Sequence, residues 1–282
     1  MTKLTIPQIK EKKEKISMLT AYDYPTARIV EKAGLDMILV GDSLGNVVLG
    51  YDSTLPVTMD EMLHHTKAVR KGAKDTFLIA DMPFMSYQVS NEEALRNGGR
   101  FIKEAGADAV KLEGAGVVID RMKALISVGM PVLGHLGLTP QTATVLGGYK
   151  VQGRELSSAI KIYNDSLLLD KLGCFAIILE CVPRQLAKII TEAVSIPTIG
   201  IGAGKYCNGQ VLVIHDMLGI KENNKSKFVK EYLNLEDEIL GALKSFKSDI
   251  LGNLFPAKEN SFNIDKDILG KLKKKLGIES DA

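Results

Sequence analysis

The sequence predicts an α/β protein built as a (β/α)₈ (TIM) barrel, in which parallel strands alternate with helices around one core. Three observations support this: eight short apolar runs, helix-boundary signals between them, and polar residues that end most of the runs. Runs of this length that are apolar on both faces are typical of parallel strands covered by helices. A doubly wound open sheet is the alternative. The runs are ISMLTAYD (16–23), MILVGDS (37–43), FLIADMPF (77–84), AVKLEG (109–114), PVLGHLG (131–137), FAIILECV (175–182), PTIGIGAG (197–204) and QVLVIHD (210–216).

The segments between the runs contain helix-boundary signals. Thr58 and Ser90 each begin a Ser/Thr-x-x-Glu pattern, the form of a capping box at a helix start. Pro140 and Pro183 stand where a first helical turn tolerates proline. Gly106 ends the pattern RFIKEAG, as glycine does after the last turn of a helix. Strands and helices are therefore expected to alternate along the chain.

Length and composition favour one globular domain. The chain has 282 residues, of which 45% are hydrophobic, and no Pro-, Gly- or Ser-rich linker divides it. Barrels of this kind often use about 250 residues as a single domain. We expect one domain over residues 1–282, with a helical C-terminal extension from about residue 221, where the sequence becomes more polar.

Charge and cysteine content argue against several classes of protein. The net charge of +2 is too balanced to indicate a nucleic-acid or anionic-membrane partner. Cys174, Cys181 and Cys207 are too few and too irregularly spaced for a disulfide framework or a zinc site. No apolar stretch approaches the ~20 residues of a membrane helix. We expect a reduced, cytoplasmic protein that acts on small molecules.

Polar residues end most of the apolar runs. In a parallel barrel the carboxyl ends of all strands meet at one face, which is where active sites lie. A single carboxylate there would more often be a helix cap, but the set as a whole predicts a functional site. Its members are Asp23, Asp42, Asp81, Lys111 with Glu113, His135, Glu180 and Asp216.

Several carboxylates without cysteine indicate a hard cation held by oxygen ligands, of which Mg²⁺ is the commonest. Two or three protein carboxylates leave coordination positions open for substrate. A 2-keto acid would fit such a site, because its carboxylate and keto oxygens chelate. The cation would polarise the ketone and stabilise an enolate.

Three residues have a structural interpretation beside the functional one. Lys111 could neutralise a substrate carboxylate or form an ion pair with a neighbouring strand. Glu180 ends an otherwise apolar strand, where it could act as a general base or pair with a buried Arg or Lys. His135 could hydrogen-bond a substrate oxygen or pack between glycines.

Nine motifs together resemble the ketopantoate hydroxymethyltransferase family, in order from about residue 16 to residue 220. The resemblance implies a barrel of the phosphoenolpyruvate/pyruvate type and a homodecamer. It also implies transfer of a hydroxymethyl group from the co-substrate 5,10-methylenetetrahydrofolate to 3-methyl-2-oxobutanoate, giving 2-dehydropantoate in pantothenate biosynthesis. The motifs are MLTAYDYPTA, GDSLGNVVLGYDSTLPVT, ADMPFMSYQ, AVKLEG, GHLGLTPQ, LGGYKVQGR, LECVP, IGIGAG and GQVLVIHDMLG.

The resemblance also implies roles for individual residues. Asp42 and Asp81 are the metal-site carboxylates, and Glu113 completes the magnesium site, directly or through water. Asp42, Ser43, Asp81 and Lys111 contact the keto acid. His135, the histidine of GHLGLTPQ, also lies at a strand end and is expected to join these substrate-binding residues.

The resemblance makes Glu180 of LECVP the proton acceptor, which removes the C3 proton so that a Mg²⁺-stabilised enolate can attack the folate-borne methylene. The family usually has Asp-Gly-Gln where this chain has Asn208-Gly209-Gln210. A carbon–carbon lyase or phosphonomutase on the same metal-enolate barrel is the alternative; it shares the acids and lacks GGYKVQGR. A non-enzymatic keto-acid-binding regulator would be expected to lose Glu180 or a metal ligand.

Overall fold

The computed structural model describes residues 3–220 and 226–278. Over these residues the strands form one closed, all-parallel barrel in chain order, in which β8 pairs with β1. The predicted (β/α)₈ fold is confirmed. The strands are β1 Ile16–Thr20, β2 Met37–Val40, β3 Phe77–Asp81, β4 Ala109–Glu113, β5 Val132–Gly137, β6 Ala176–Glu180, β7 Thr198–Ile201 and β8 Gly209–Leu212.

Helices lie in the connections between successive strands except between β7 and β8, where residues 202–208 form a loop without a helix, and further helices follow the barrel. The expected alternation of strands and helices therefore fails at this one connection. Short 3₁₀ turns span Pro140–Thr142 and Lys258–Asn260. The α-helices of the described residues are α1 Ile6–Glu11, α2 Tyr24–Ala33, α3 Leu44–Val47, α4 Met59–Gly72, α5 Asn91–Ala105, α6 Val118–Ser127, α7 Leu156–Leu172, α8 Arg184–Ala193, α9 Ile214–Leu218, α10 Leu235–Leu251 and α11 Lys266–Leu276.

The helix boundaries agree with the sequence signals except at two places. Thr58 makes both halves of a capping box with Glu61, and Gly106 ends α5 at φ +72°. Ser90 accepts a hydrogen bond from the backbone of Glu93 but forms no reciprocal pair. Pro140 opens only a 3₁₀ turn, because the chain there forms a loop over the end of the barrel and α7 begins later. Pro183 is the residue before α8.

The barrel has an inner apolar core and an outer one. The outer core lies between the strands and the surrounding helices. Inside the barrel, Met37, Phe77, Ile79, Phe175 and other buried side chains pack together, and the two phenylalanine rings meet edge to face with centroids 5.6 Å apart. Burying each such side chain contributes roughly 1.5–3 kcal/mol. The inner core thus fills the barrel below the strand ends.

Alternation along the strands determines which polar residues enter the barrel. Successive side chains of a strand point to opposite faces, so every second residue lies inside. On β3 the inner row is Phe77, Ile79, Asp81, and on β4 it runs Ala109, Lys111, Glu113. The apolar inner core therefore gives way to charged residues at the carboxyl ends of the strands.

The chain forms two compact units, residues 1–233 and 234–282. The first contains the whole barrel, and the second contains α10 and α11. The predicted start of the helical extension, at about residue 221, lies outside the described residues. Over the described residues, no helix is both long and apolar enough to span a membrane.

Candidate active site

The predicted catalytic, substrate-binding and metal-binding residues lie together around one cavity of about 630 Å³ at the carboxyl ends of the strands. The inward rows of β3, β4, β5 and β6 supply most of them, and the turn after β2 supplies the other two. All but two are less than 5% exposed; Ser43 and Glu180 are half-buried. The set is Asp42, Ser43, Asp81, Lys111, Glu113, His135 and Glu180. Of the other two strand-end acids, Asp216 also lines this cavity and Asp23 does not.

Lys111 is the cationic centre of this cluster. Its Nζ lies 3.1 Å from Oδ1 of Asp81 on the neighbouring strand and 3.5 Å from Oε1 of Glu113. Burial alone would lower the pKa of Lys111, but these carboxylates and Asp42 raise it, so the side chain stays an ammonium. Lys111 thus forms the ion pair with a neighbouring strand that the sequence left open, and its ammonium also lines the cavity.

The cluster holds more carboxyl groups than cationic groups. Burial raises the pKa of Asp42 well above its usual value, and the charges of Asp81 and Glu113 raise it further. The pKa of Asp81 is also raised, by burial and Glu113, although Lys111 opposes the shift. Four acids, Asp42, Asp81, Glu113 and Glu180, here face two cationic partners, Lys111 and His135, and the arrangement therefore favours a further cation.

Glu113 is the best-stabilised of the three buried carboxylates. Burial would raise its pKa, but Lys111, His135 and a hydrogen bond from the backbone N–H of Gln141 outweigh burial and lower it. The Gln141 N–H lies 3.0 Å from Oε2 of Glu113. Glu113 is therefore an anion with partners on both of its oxygens.

His135 joins this cluster to Glu180. Its Nε2 lies 3.2 Å from Oε2 of Glu180, and its Nδ1 lies 3.4 Å from Glu113 and 3.2 Å from Lys111. Burial and Lys111 lower the pKa of His135, but the two glutamates raise it to about 9. The ion-pair partner that the structure gives Glu180 is thus a histidine of the site, neither an arginine nor a lysine.

The donor set fits a magnesium site of the open kind. Oδ1 of Asp81 is buried and accepts no hydrogen bond from the described residues, with the Lys111 ammonium as its nearest counter-charge. Among all the described residues, no group of three His, Cys, Asp or Glu side chains is arranged to hold a metal ion by itself. Mg²⁺ commonly binds through one or two carboxylates and fills its other positions with water and substrate oxygens. Asp42 and Asp81 match that pattern, with Glu113 further removed by its own partners.

Comparison with known proteins identifies the family. The family model for ketopantoate hydroxymethyltransferase matches residues 1–258. The chain belongs to this family. A 3-methyl-2-oxobutanoate hydroxymethyltransferase of Syntrophomonas wolfei is 54% identical, covering 96% of this chain and all of that one. Its counterpart in Thermoanaerobacter sp. is 53% identical over 93% of this chain and 96% of its own length. The family resemblance and the assignment as an enzyme, a hydroxymethyltransferase, are confirmed.

Solved structures support the fold prediction. A phosphoenolpyruvate phosphomutase from Streptomyces platensis superposes with a TM-score of 0.61 at 14% identity, over 96% of this chain and 94% of that one. A 2,3-dimethylmalate lyase of the PEP mutase/isocitrate lyase superfamily gives 0.56 at 11% identity, over 98% and 97%. Likeness at this identity shows the fold alone, a (β/α)₈ barrel.

The position at which this chain differs from the usual family sequence lies far from the cavity. Asn208 immediately precedes β8, at the amino end of the barrel. Its Oδ1 accepts hydrogen bonds from the backbone N–H and the hydroxyl of Thr198, at 3.0 and 3.2 Å. An aspartate could accept the same two bonds. The change of charge therefore does not alter the site at the opposite end.

Some residues in and around the cavity were not predicted from the sequence as site residues. Gln141 contacts both Asp42 and Glu113. The buried hydroxyl of Tyr22 lies 2.8 Å from Oγ of Ser43, and Tyr149 of the GGYKVQGR motif lines the cavity. None of these side chains is charged or ends a strand, so the rule that found the others could not find them.

A glycine at the end of β5 allows close packing against the backbone of Glu180. Gly137, at the end of β5, has φ +93°, and a Cβ there would overlap the carbonyl oxygen of Glu180 and lie 2.6 Å from Cγ2 of Val182.

We expect Gly137→Ala to lower the free energy of unfolding by roughly 2–5 kcal/mol, the sum of the costs of the left-handed conformation and of overpacking. Urea denaturation measures this loss. Gly129→Ala, at φ +84° in open space, is the matched control and should lose only the conformational part, about 1–2 kcal/mol. Equal losses would show that the contact with Glu180 is unimportant.

Proposed function

We propose that this enzyme transfers a hydroxymethyl group from 5,10-methylenetetrahydrofolate to 3-methyl-2-oxobutanoate, giving 2-dehydropantoate and tetrahydrofolate in pantothenate biosynthesis. C3 of the keto acid loses its proton and bonds to the methylene carbon, and water supplies the hydroxyl oxygen. The observation that supports this most strongly is the shared cavity: an acid-rich cation site and a second carboxylate, Glu180, face the same space. Family membership supports the same reaction.

The cation site would hold the keto acid. Asp42 and Asp81 would bind Mg²⁺, with Glu113 directly or through water, and bound Mg²⁺ would polarise the keto oxygen as a Lewis acid. Lys111 presents its ammonium to the same cavity and would attract the substrate carboxylate. The hydroxyl of Ser43, held by Tyr22, can contact a substrate oxygen. Together these groups orient the keto acid without covalent attachment.

Glu180 would act as the base. It is a half-buried carboxylate, and it lines the cavity apart from the crowded acids around Lys111. His135 lies against its Oε2 and so restricts its orientation. A positioned carboxylate can accept the C3 proton of a substrate that is held and polarised on its other side. The same histidine also contacts Glu113, so the base and the cation site form one connected cluster.

The comparisons favour the transferase over the lyase or phosphonomutase alternative. Relatives named as hydroxymethyltransferases are 52–54% identical to this chain over most of its length. Structures named as lyases and mutases share only 11–14% of its residues. The GGYKVQGR motif, which includes Tyr149 at the cavity, is a further difference from that alternative.

Turnover assays test the proposal directly. Purified protein with Mg²⁺, 3-methyl-2-oxobutanoate and 5,10-methylenetetrahydrofolate should release tetrahydrofolate and 2-dehydropantoate in equal amounts. A chelator should abolish turnover, and added Mg²⁺ should restore it, because the keto acid binds through the cation. Full activity in chelator would contradict the cation's role. Absence of product with this donor, in protein that binds the keto acid, would contradict the proposed co-substrate.

Replacing Lys111 with alanine tests its role toward substrate. We expect keto-acid binding to weaken by about 2–4 kcal/mol, the range for removing one partner of a desolvated charge pair. Isothermal titration calorimetry at saturating Mg²⁺ measures the change. Because Asp81 and Glu113 lose their counter-charge, a less stable fold is also expected. Unchanged affinity in a destabilised variant would leave Lys111 a structural role only.

Assembly and location stay predictions. The family resemblance implies a homodecamer, and sedimentation velocity of the purified protein would measure its size. The cytoplasmic location rests on the sequence, whose few cysteines are typical of a reduced compartment.

A further inference from the structure

Gln141 lies in the 3₁₀ turn after β5 and is only 4% exposed. All of its side-chain hydrogen-bonding groups have partners. Its Nε2 donates to Oδ2 of Asp42 and to the carbonyl of Met82, each at 2.9 Å. Its Oε1 accepts from the hydroxyl of Tyr87 at 2.7 Å and from Nε2 of Gln88 at 3.3 Å. Together with the backbone bond to Glu113, Gln141 connects its own loop after β5 to the loops after β2 and β3 and to the last residue of β4.

The orientation of the Gln141 amide follows from its partners. The Met82 carbonyl can only accept a hydrogen bond, so the amide nitrogen must face it and Asp42. The hydroxyl of Tyr87 already accepts from the backbone N–H of Glu113 at 3.2 Å. Its own proton is therefore free to donate to Gln141 Oε1. A flipped amide would place its oxygen against the Met82 carbonyl and the Asp42 carboxylate, which are both acceptors, so only one orientation of the amide is compatible with its partners.

Gln141 contacts two carboxylates of the cation site through different atoms. The side chain holds Asp42, and the backbone N–H holds Glu113 at 3.0 Å. Tyr87 contacts both the Gln141 side chain and the Glu113 backbone, and so fixes the glutamine from the opposite side. Asp42 and Glu113 repel each other, and each raises the other's cost of remaining ionised. A neutral donor between them holds both in place without adding charge.

We propose that Gln141 is a positioning residue for the cation site, which sets the separation of Asp42 from Glu113 and is itself fixed by the Tyr87 hydroxyl. This inference rests on the proposed function, because it assumes that these carboxylates receive a divalent cation. Groups that orient metal ligands typically affect metal affinity or activity by 10–100-fold. Gln141 acts through the carboxylates and touches no reacting atom.

Binding of Mn²⁺ alone provides the test, since Mn²⁺ takes the same oxygen ligands as Mg²⁺ and its free form is visible by electron paramagnetic resonance. Gln141→Met keeps the length of the side chain and removes the donors to Asp42. We expect it to weaken Mn²⁺ binding by about 10–100-fold. Gln88→Met is the matched control, because it removes one donor to Gln141 and touches no carboxylate. Its Mn²⁺ affinity should stay within about threefold of the original protein, below the 10-fold lower bound for an orienting group.

Tyr87→Phe is a second and milder variant, which also serves if Gln141→Met does not fold. Removing only the hydroxyl should weaken Mn²⁺ binding in the same direction and by less. Because the two side chains act in one network, their effects should not add. The double variant Tyr87→Phe/Gln141→Met is expected to bind Mn²⁺ about as weakly as Gln141→Met alone.

The outcomes separate this inference from the proposed function. If Gln141→Met melts earlier yet binds Mn²⁺ as the original protein does, Gln141 is merely structural and the inference is overturned while the cation site stands. The same holds if Tyr87→Phe is the variant that folds and its affinity is unchanged. If the original protein itself fails to bind Mn²⁺, the proposed cation site is wrong, and the inference falls with it.

Discussion

Replacing Glu180 with glutamine is expected to lower turnover by roughly 10²–10⁴-fold, the usual contribution of a positioned base. Glutamine keeps the shape of the side chain and can still contact His135, but it cannot accept a proton. Affinities for the keto acid and for Mg²⁺ should stay near those of the original protein, because the proposed contacts of those ligands are with Asp42, Asp81 and Lys111. Steady-state kinetics and calorimetry measure the two quantities separately.

Exchange of the C3 proton with deuterated water distinguishes the possible roles of Glu180. If the enzyme catalyses this exchange without folate, Glu180→Gln should slow it as much as it slows turnover. Glu192→Gln, the same change at an exposed site on α8, should alter neither rate. A structural glutamate would instead lower thermal stability and leave the folded fraction active. If Glu180→Gln exchanges the C3 proton at the original rate but loses turnover, Glu180 acts in the transfer from the folate and another group is the base.

Asp81→Asn is expected to have the second-largest effect, since it removes a predicted ligand of the cation. Changes in groups that merely orient ligands cost 10–100-fold in affinity, so loss of a direct ligand should cost at least about 100-fold. Keto-acid affinity should fall with it, because the proposed mechanism has the substrate bind through the cation. Mn²⁺ titration, followed by keto-acid titration at fixed Mn²⁺, measures both.

A neighbouring aspartate is the control for Asp81. Asp52 lines the same cavity but is exposed, and Asp52→Asn makes the same change of charge. We expect it to leave cation and keto-acid affinities nearly unchanged. If both variants weaken cation binding equally, the cation is attracted by the general negative charge of the cavity, and Asp81 is not a specific ligand. If Asp81→Asn loses keto-acid affinity alone, the substrate contacts Asp81 without an intervening cation.

Much of the barrel and its charged end could be predicted because both depend on simple periodicity. The apolar runs are short and buried on both sides, which parallel strands require and amphipathic helices do not. Inward positions then recur every second residue, so the row Phe77, Ile79, Asp81 leads from the core to the cavity. The same reasoning places Lys111 and Glu113 on one face of β4.

Local loop geometry could not be predicted in this way. Asp23 and Asp42 both follow a strand, yet Asp23 accepts a hydrogen bond from the N–H of Thr26 and caps α2, whereas Asp42 lies in the cavity. The difference depends on where each turn directs its side chain, and a strand-end pattern does not encode that direction. Gln141 was missed for a related reason. It reaches the site from a loop, and only the three-dimensional path of that loop brings it to Asp42.

The buried position of Lys111 also bears on the entropy of substrate binding. A free lysine side chain samples many rotamers, and immobilising it costs about 1.5–2 kcal/mol. Here Asp81 and Glu113 already hold the ammonium, so this loss of freedom occurs during folding. A ligand that meets an ordered cation retains more of its gross interaction energy as affinity. Because of the ion pairs around Lys111, less conformational entropy is lost when a small acid enters the cavity.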